Sequence, residues 1–379
     1  IAAAIALRPR LRIADEPTSA LDATVQRRVL DLLDELQRED GTSILLVTHD
    51  LGVAADRAAR IAVLKDGRIV EQGPSAQVLA EPEDPYTRQL LADAPAFTTG
   101  FRRPDAPPFL RDAAAVAAEK PYEIVAAGLV KEFRVAGRER FRAVDDVSFR
   151  VRRGTTHALV GESGSGKSTT ARLVTRFLRP DAGTVELAGE DATAVEGSRL
   201  RALRRRIQLV YQNPFASLDP RQQIADIVAA PLHNFRIGGR PESRDRAVAL
   251  LERVALPADA ARRTPSELSG GQRQRVAIAR ALAVDPEILV LDEAVSALDV
   301  TVQARILELL SALQAELGLT YLFISHDLAV VRRISHTVSV MHRGRVVEDG
   351  PTEELFHDPQ HENTRELLAA VPGRTEIIA

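Results

Sequence analysis

Residues 161–168 read Gly-Glu-Ser-Gly-Ser-Gly-Lys-Ser. This fits the pattern G-x-x-x-x-G-K-[ST], each part of which answers to the chemistry of phosphate. Gly161, Gly164 and Gly166 let the backbone close around an anion with its N–H groups pointing inward. A helix after the loop presents the positive end of its dipole. Lys167 neutralises β/γ-phosphate oxygens and Ser168 offers a hydroxyl to Mg²⁺, with Ser163 and Thr169 completing the lining. A plain Gly/Ser turn is the alternative. The apolar strand expected at Thr156 to Val160 and the helix expected after the loop weigh against it.

Two further groups gain meaning from this loop. Ile288 to Leu291 is an apolar run that ends in Asp292 and Glu293. A buried strand would deliver Asp292 to the shell of a metal and Glu293 to a water that it orients or deprotonates. On its own, such a run is more often just the end of a strand. Leu268-Ser269-Gly270-Gly271-Gln272 precedes a helical stretch from Arg273 to Ala283. Ser269 and the glycines can expose N–H groups to an anion. Equally, Ser269 can be a simple helix N-cap, worth about 1 kcal/mol.

The elements that must position these groups follow a repeat. Asp15-Glu16 recurs as Asp292-Glu293, Leu21-Asp22 as Leu298-Asp299, and His49-Asp50-Leu51 as His326-Asp327-Leu328. The offset is 277 throughout, from Asp15 to Asp292 and from Pro95 to Pro372. Residues 1–95 therefore form a first copy that begins at the match of Ile278, and residues 122–379 a second, longer copy. The stretch 96–121 holds Pro104, Pro107 and Pro108 and reads as a linker. In the second copy, Glu123 to Val135 and Ala143 to Val151 read as antiparallel strands. Thr156 to Val160, Ile288 to Leu291 and Tyr321 to Ile324 read as strands of a parallel sheet. Gln222 to Leu268 reads as mostly helical.

Composition sets limits. The 379 residues carry a net charge of −3 with 45% hydrophobic and 27% charged residues, a globular balance with no basic excess for nucleic acid. Cysteine is absent, which excludes disulfides and Cys-ligated metal within this chain. No apolar run approaches the roughly 20 residues that span a bilayer. Ile1 to Leu7 lacks the pattern of a signal peptide and reads as the middle of a helix. Lysine occurs only at 65, 120, 131 and 167, so its use at 167 amid abundant arginine stands out. The pairs His336/His342 and His357/His361 read as structural or surface histidines, since Pro359 interrupts the second.

The ordered set in residues 122–379 resembles the nucleotide-binding domain of ABC transporters. That resemblance implies an α/β P-loop NTPase with a RecA-like core, an antiparallel β-subdomain and an α-helical signature subdomain. It implies ATP and Mg²⁺ as cofactors. Ser269 to Gln272 matches the family signature, Gln212 the Q-loop glutamine that senses the metal, and His326 the switch histidine at the γ-phosphate. Asp299 matches the D-loop aspartate. Catalysis would then rest on Glu293, His326 and Gln212, with Ser168, Gln212 and Asp292 around the metal. Phe133 is the expected aromatic on adenine, a core phenylalanine being its alternative.

Tyr211 to Pro220, the paired Ser-Ala-Leu-Asp segments and Pro85-Tyr86-Thr87 narrow the resemblance to ATPases of dipeptide, oligopeptide and nickel importers, in a fused double form. The family implies head-to-tail pairing of two ATPase domains. It also implies permease subunits, a solute-binding protein acting through them, and a peripheral place at the cytoplasmic side of the membrane. Three departures stand out. Ala294 replaces the proline kept at Pro17, with little effect expected. Glu362-Asn363-Thr364 replaces Pro-Tyr-Thr, so the second tail is expected to dock differently. The Cys-rich tail of some relatives is missing. A soluble ABC ATPase working on ribosomes or DNA is the rival class. The short Pro-rich linker and the lack of Cys argue against its translation-factor and DNA-repair types. The repeat further suggests a piece of a longer fused protein, with a first copy that is loosely ordered. On that expectation the Lys167 loop takes its partner signature from another chain.

Overall fold

The computed structural model describes residues 9–18, 21–94, 120–134, 140–212, 217–296 and 298–372. The stretch Ile1 to Leu7, most of the linker, residues 213–216 and the alanines 20 and 297 of the paired segments lie outside these.

The first copy runs β1 (Leu11–Asp15), α1 (Ala23–Asp40), β2 (Ser43–Val47), α2 (Leu51–Arg57), β3 (Arg60–Lys65), β4 (Arg68–Pro74), α3 (Ser75–Ala80) and α4 (Pro85–Asp93). Asp22 caps α1 by accepting from the Val25 N–H at 3.0 Å, and Gly41 closes it in the left-handed region. Asp50 caps α2.

The second copy opens with β5 (Tyr122–Phe133), β6 (Phe141–Arg152), β7 (Thr156–Val160), α5 (Lys167–Val174), β8 (Ala182–Leu187) and β9 (Glu190–Asp191). It continues through α6 (Gly197–Arg206), β10 (Ile207–Val210), α7 (Ile224–Phe235), α8 (Arg240–Arg253), α9 (Gly270–Leu282) and β11 (Ile288–Asp292). It closes with α10 (Val300–Leu317), β12 (Thr320–Ile324), α11 (Leu328–Ile334), β13 (Thr337–His342), β14 (Arg345–Pro351), α12 (Thr352–His357) and α13 (Glu362–Ala369). The strands expected from sequence fall where they were placed, with β7 matching Thr156 to Val160 end to end.

Six strands form the central sheet in the order β10-β11-β12-β7-β13-β14, parallel except for β14. A four-stranded antiparallel sheet, β6-β5-β8-β9, forms the second layer. Every residue of β7, β11 and β12 is buried. Their side chains alternate between two cores. Leu289, Leu291, Tyr321 and Phe323 face the helical side, and Ile288, Val290, Leu322 and Ile324 face the antiparallel sheet. The helices α7, α8 and α9 pack together as a separate helical layer.

The tail of the second copy docks as the first copy's tail does, despite Glu362-Asn363-Thr364. Glu71 accepts from the N–H groups of Glu83 and Asp84, and Glu348 accepts from those of Gln360 and His361. Asp84 and His361, at matching positions, cap α4 and α13. The anchor lies before the altered residues, which is why their change leaves docking intact.

His157 sits inside this core on β7. Its ring meets the Thr337 hydroxyl at 2.8 Å and the Ser339 hydroxyl at 3.0 Å, and it stacks on Phe149 with centroids 5.2 Å apart. Burial lowers its pKa from 6.5 to about 4. The unfolded state thus binds a proton that the native state refuses, so the stability present above pH 6.5 is lost as pH falls towards 4. Relative to a His157→Gln variant, the wild type should lose on the order of 2 kcal/mol across that window in denaturant titrations. Parallel pH curves for the two proteins would refute the assignment.

The first copy pairs differently. There β2 bonds β1, and β3 bonds β4, but among the described residues nothing joins β2 to β3. In the second copy the matching β12 has β11 on one side and β7 on the other. Ile13 is 67% exposed and Leu45 53%, whereas their matches Val290 and Leu322 are both at 0%. Amide exchange should therefore be faster in Ser43–Val47 than in Thr320–Ile324 by at least about tenfold. Equal protection in the two segments would show that the β2 edge is covered in solution.

Candidate functional site

The site is built at the carboxyl ends of β7, β11 and β12. Ile324 pairs with Asp292 on one side and Leu159 on the other, so the three strands stop at one level. Beyond β7 the chain turns through Gly161 at φ 142°, where a Cβ would sit 2.1 Å from the Met341 carbonyl oxygen. Only glycine passes there. The loop closes with Lys167 buried at the start of α5, its ammonium donating to the carbonyls of Gly161 at 2.7 Å and Glu162 at 2.8 Å. Burial pushes the Lys167 pKa down, and the carboxylates of Glu293, Asp22, Asp292 and Glu162 pull against that shift.

Ser168 donates its hydroxyl to Asp292 at 3.0 Å, which ties the loop to β11. Burial raises the pKa of Asp292. Next in sequence, Glu293 adopts φ 49°, and its N–H bonds the Ile324 carbonyl at 2.9 Å. That turn aims its carboxylate out of the sheet. Gln212 donates to one Glu293 oxygen at 2.6 Å, and His326 Nδ1 lies 3.4 Å from the other. The bond to His326 lowers the Glu293 pKa, and the same bond raises that of His326. The carboxylate is therefore ionised and held from two sides.

These groups open on a cavity of about 900 Å³ that Ser163, Gly164, Gly166, Lys167, Ser168 and Thr169 line. Gln212, Glu293, Asp299 and His326 reach the same cavity. Asp299 also caps α10 through the Val302 N–H at 3.0 Å.

One expectation needs adjustment. Phe141 lines the cavity and Phe133 does not. The two rings are cross-strand partners, but Phe141 stands on β6, the strand that borders the phosphate loop: the Ala143 carbonyl oxygen lies 2.4 Å from a Cβ built at Gly166. Phe133 instead lies on β5, with the Lys131 ammonium 6.0 Å from its ring centre. Its partner across the hairpin, Phe141, was the available signal. Ser269, Gly270, Gly271 and Gln272 do not line this cavity, and the expectation set them against the phosphate loop of another chain rather than this one. Ser269 caps α9 in a reciprocal box with Gln272, and Gly271 lies against Val302.

The first copy supplies the opposite wall. Glu16, Asp22, His49 and Gly52 line the cavity, and Asp22 accepts from the Ser163 N–H at 3.3 Å. Within that copy His49 Nδ1 meets Glu16 at 3.0 Å, the counterpart of the His326–Glu293 pair. Sequence reasoning named these residues as repeats but did not foresee that they would face Lys167. Of the histidines read as structural, His336 accepts from the Thr156 N–H at 3.0 Å and His361 from the Asn363 N–H at 3.2 Å.

Comparison with known proteins agrees with this geometry. The family model for ABC transporters matches residues 144–296, and that for the oligopeptide/dipeptide transporter C-terminal region matches residues 70–115. The glutathione import ATP-binding proteins GsiA of Pectobacterium atrosepticum and Escherichia coli O6:H1 are each 44% identical over 390 residues, covering 98% of this chain. The chain spans 63% of the length of those relatives. A dimeric bacterial ABC transporter cassette, MJ0796, is 31% identical with a TM-score of 0.56, covering 60% of this chain and 98% of the cassette. The same cassette in a post-hydrolysis state bound to ADP and Pi matches equally. A strand-ended phosphate loop, a carboxylate pair and a histidine at one sheet edge, on a fold shared with that cassette, place this chain in the ABC transporter ATP-binding family.

Proposed function

We propose that this chain binds and hydrolyses ATP to energise an ABC importer of peptides or a similar small solute. The observation that carries this reading is the Glu293 carboxylate, ionised and held between Gln212 and His326 beside a buried Lys167. Bound ATP–Mg²⁺ would supply the scissile phosphoanhydride and a cation that offsets phosphate charge. Ser168, Asp292 and Gln212 would hold that cation. Hydroxyl, carboxylate and amide oxygens are the donors Mg²⁺ prefers, and so few protein ligands suit a metal that arrives with phosphate.

Each residue then has a stated task. Lys167 leaves the two loop carbonyls and neutralises phosphate charge. Glu293 accepts the proton of the attacking water, and Gln212 fixes the direction in which its carboxylate points. His326, raised in pKa by Glu293, carries positive character towards the transferring phosphate. Asp22 of the first copy holds the Ser163 N–H, so the loop senses its opposite wall. The first copy is read as one part of an ATPase domain and the second copy as a whole one. The two face each other head to tail.

The permeases are the proposed partners, with a solute-binding protein acting through them. A second cavity, of about 930 Å³, lies between α6 and α7 and is lined by Phe177, Arg201, Arg204, Phe235, Gln212 and Asp292. A permease segment seated there would touch the Q-loop and the metal-side carboxylate at once. Among the described residues no helix is long and apolar enough to cross a membrane. The resemblance to import ATPases supports a peripheral place at the cytoplasmic face.

Two substitutions separate binding from chemistry. Lys167→Ala should weaken ATP binding by at least about tenfold, since a charge-assisted contact is lost. Glu293→Gln should keep ATP affinity and lose about 10²-fold or more in phosphate release. Near-normal turnover in the second variant would move the base elsewhere.

The adenine contact is assigned to Phe141. Phe141→Ala should weaken ATP binding about fivefold, the worth of one ring–ring contact, while Phe133→Ala stays within about twofold. The reverse order in a fluorescent-nucleotide titration would return the role to Phe133.

A further inference from the structure

The tails of both copies end against the other copy. Helix α13 packs on α1 of the first copy, and α4 of the first copy packs on α10 of the second. Arg27 donates to the Ala369 carbonyl at 3.1 Å. Ala94 and Val371, at matching positions of the repeat, line the same cavity as Lys167. The arrangement is reciprocal, and the tails cross between copies.

One residue marks where the second tail is seated. Gly52 lies in the first turn of α2, outside the left-handed region, where a helix favours alanine over glycine. The helix itself does not need glycine, because its match in α11 is Ala329. A Cβ at position 52 would stand 3.0 Å from the carbonyl carbon, the carbonyl oxygen and the Cβ of Pro372. The close approach of the tail accounts for the glycine. The seat is also mechanically placed. The Gly52 N–H is bonded at 2.9 Å by Asp50, the residue after His49, so whatever presses on Gly52 presses on the loop carrying that histidine.

We propose that residues 362–372 are a strap that fastens the second copy to α2 of the first, with Gly52 as its seat, whether or not nucleotide is bound. Arg27, Ala369, Gly52 and Pro372 make this contact through protein atoms alone. No phosphate is needed to form it, so loss of nucleotide does not release it. Separation of the copies would then swing about the strap rather than part them, and the swing would move the His49 loop.

The chain has no cysteine, so a Gly52→Cys/Pro372→Cys pair reports on this contact alone. Mild oxidation of the full chain should close an intrachain loop, seen as faster mobility without reductant. The yield should agree within about twofold with and without ATP–Mg²⁺. A cross-link that requires nucleotide, or a cross-linked dimer in place of the loop, would each overturn the proposal. A Gly52→Val variant guards against a disturbed seat in the cysteine pair. Amide exchange in residues 362–372 should rise at least about tenfold while Thr320–Ile324 keeps its protection. Unchanged exchange in the tail would equally overturn it.

Discussion

Everything in the site depends on the register of three parallel strands. β7, β11 and β12 each bury both faces, and their side chains alternate between two cores. A slip by one residue would send every side chain of a strand to the wrong core. The slip is therefore forbidden by packing, far from any phosphate. Because the register is fixed, Gly161, Asp292 and Ser325 leave the sheet at one level, and the turn at Glu293 can meet His326. The apolar residues between 156 and 324 thus set the geometry of polar groups they never touch.

That geometry divides the labour of two adjacent carboxylates. Asp292 ends the strand in a buried place, which raises its pKa, and it accepts from the Ser168 hydroxyl. Glu293, one residue on, is turned out at φ 49° towards Gln212 and His326, and its pKa falls. A cation near Asp292 would offset its burial, whereas Glu293 is already ionised by its neighbours. In the proposed reaction, environments that push like groups apart in this way let one strand end supply both a metal ligand and a base.

Much of this was legible in the sequence, and the limits have physical causes. Strands β7, β11 and β12 announce themselves as short apolar runs, and the phosphate loop requires its glycines. Gln212, Glu293 and His326 come together because strand ends converge, which the ordered motifs imply. Phe133 and Phe141 are different. Both are aromatics flanking one hairpin, and only the position of β6 beside the phosphate loop decides between them. Seating of the tails was hidden for a similar reason. Glu362-Asn363-Thr364 looked like a broken docking motif, yet the hold comes from Glu348 on backbone N–H groups, which any residue but proline supplies at 360 and 361.

The two copies also separate what is coded locally from what is coded by packing. Asp22 and Asp299 cap matching helices, and Asp50 and Asp327 do the same. Glu16 and Glu293 share the left-handed turn, at φ 43° and 49°. His49 stands 3.0 Å from Glu16 although Leu11, Ile13, Leu45 and Val47 beneath it are exposed, where their matches in the second copy are buried. The histidine–carboxylate pair therefore does not need the packed sheet face to take its shape. It follows from the strand pair, the left-handed turn and the Asp cap, all within about forty residues of chain. The sheet face decides something else, namely how firmly that shape is held. A copy with the pair but without the buried face keeps the local geometry of that pair.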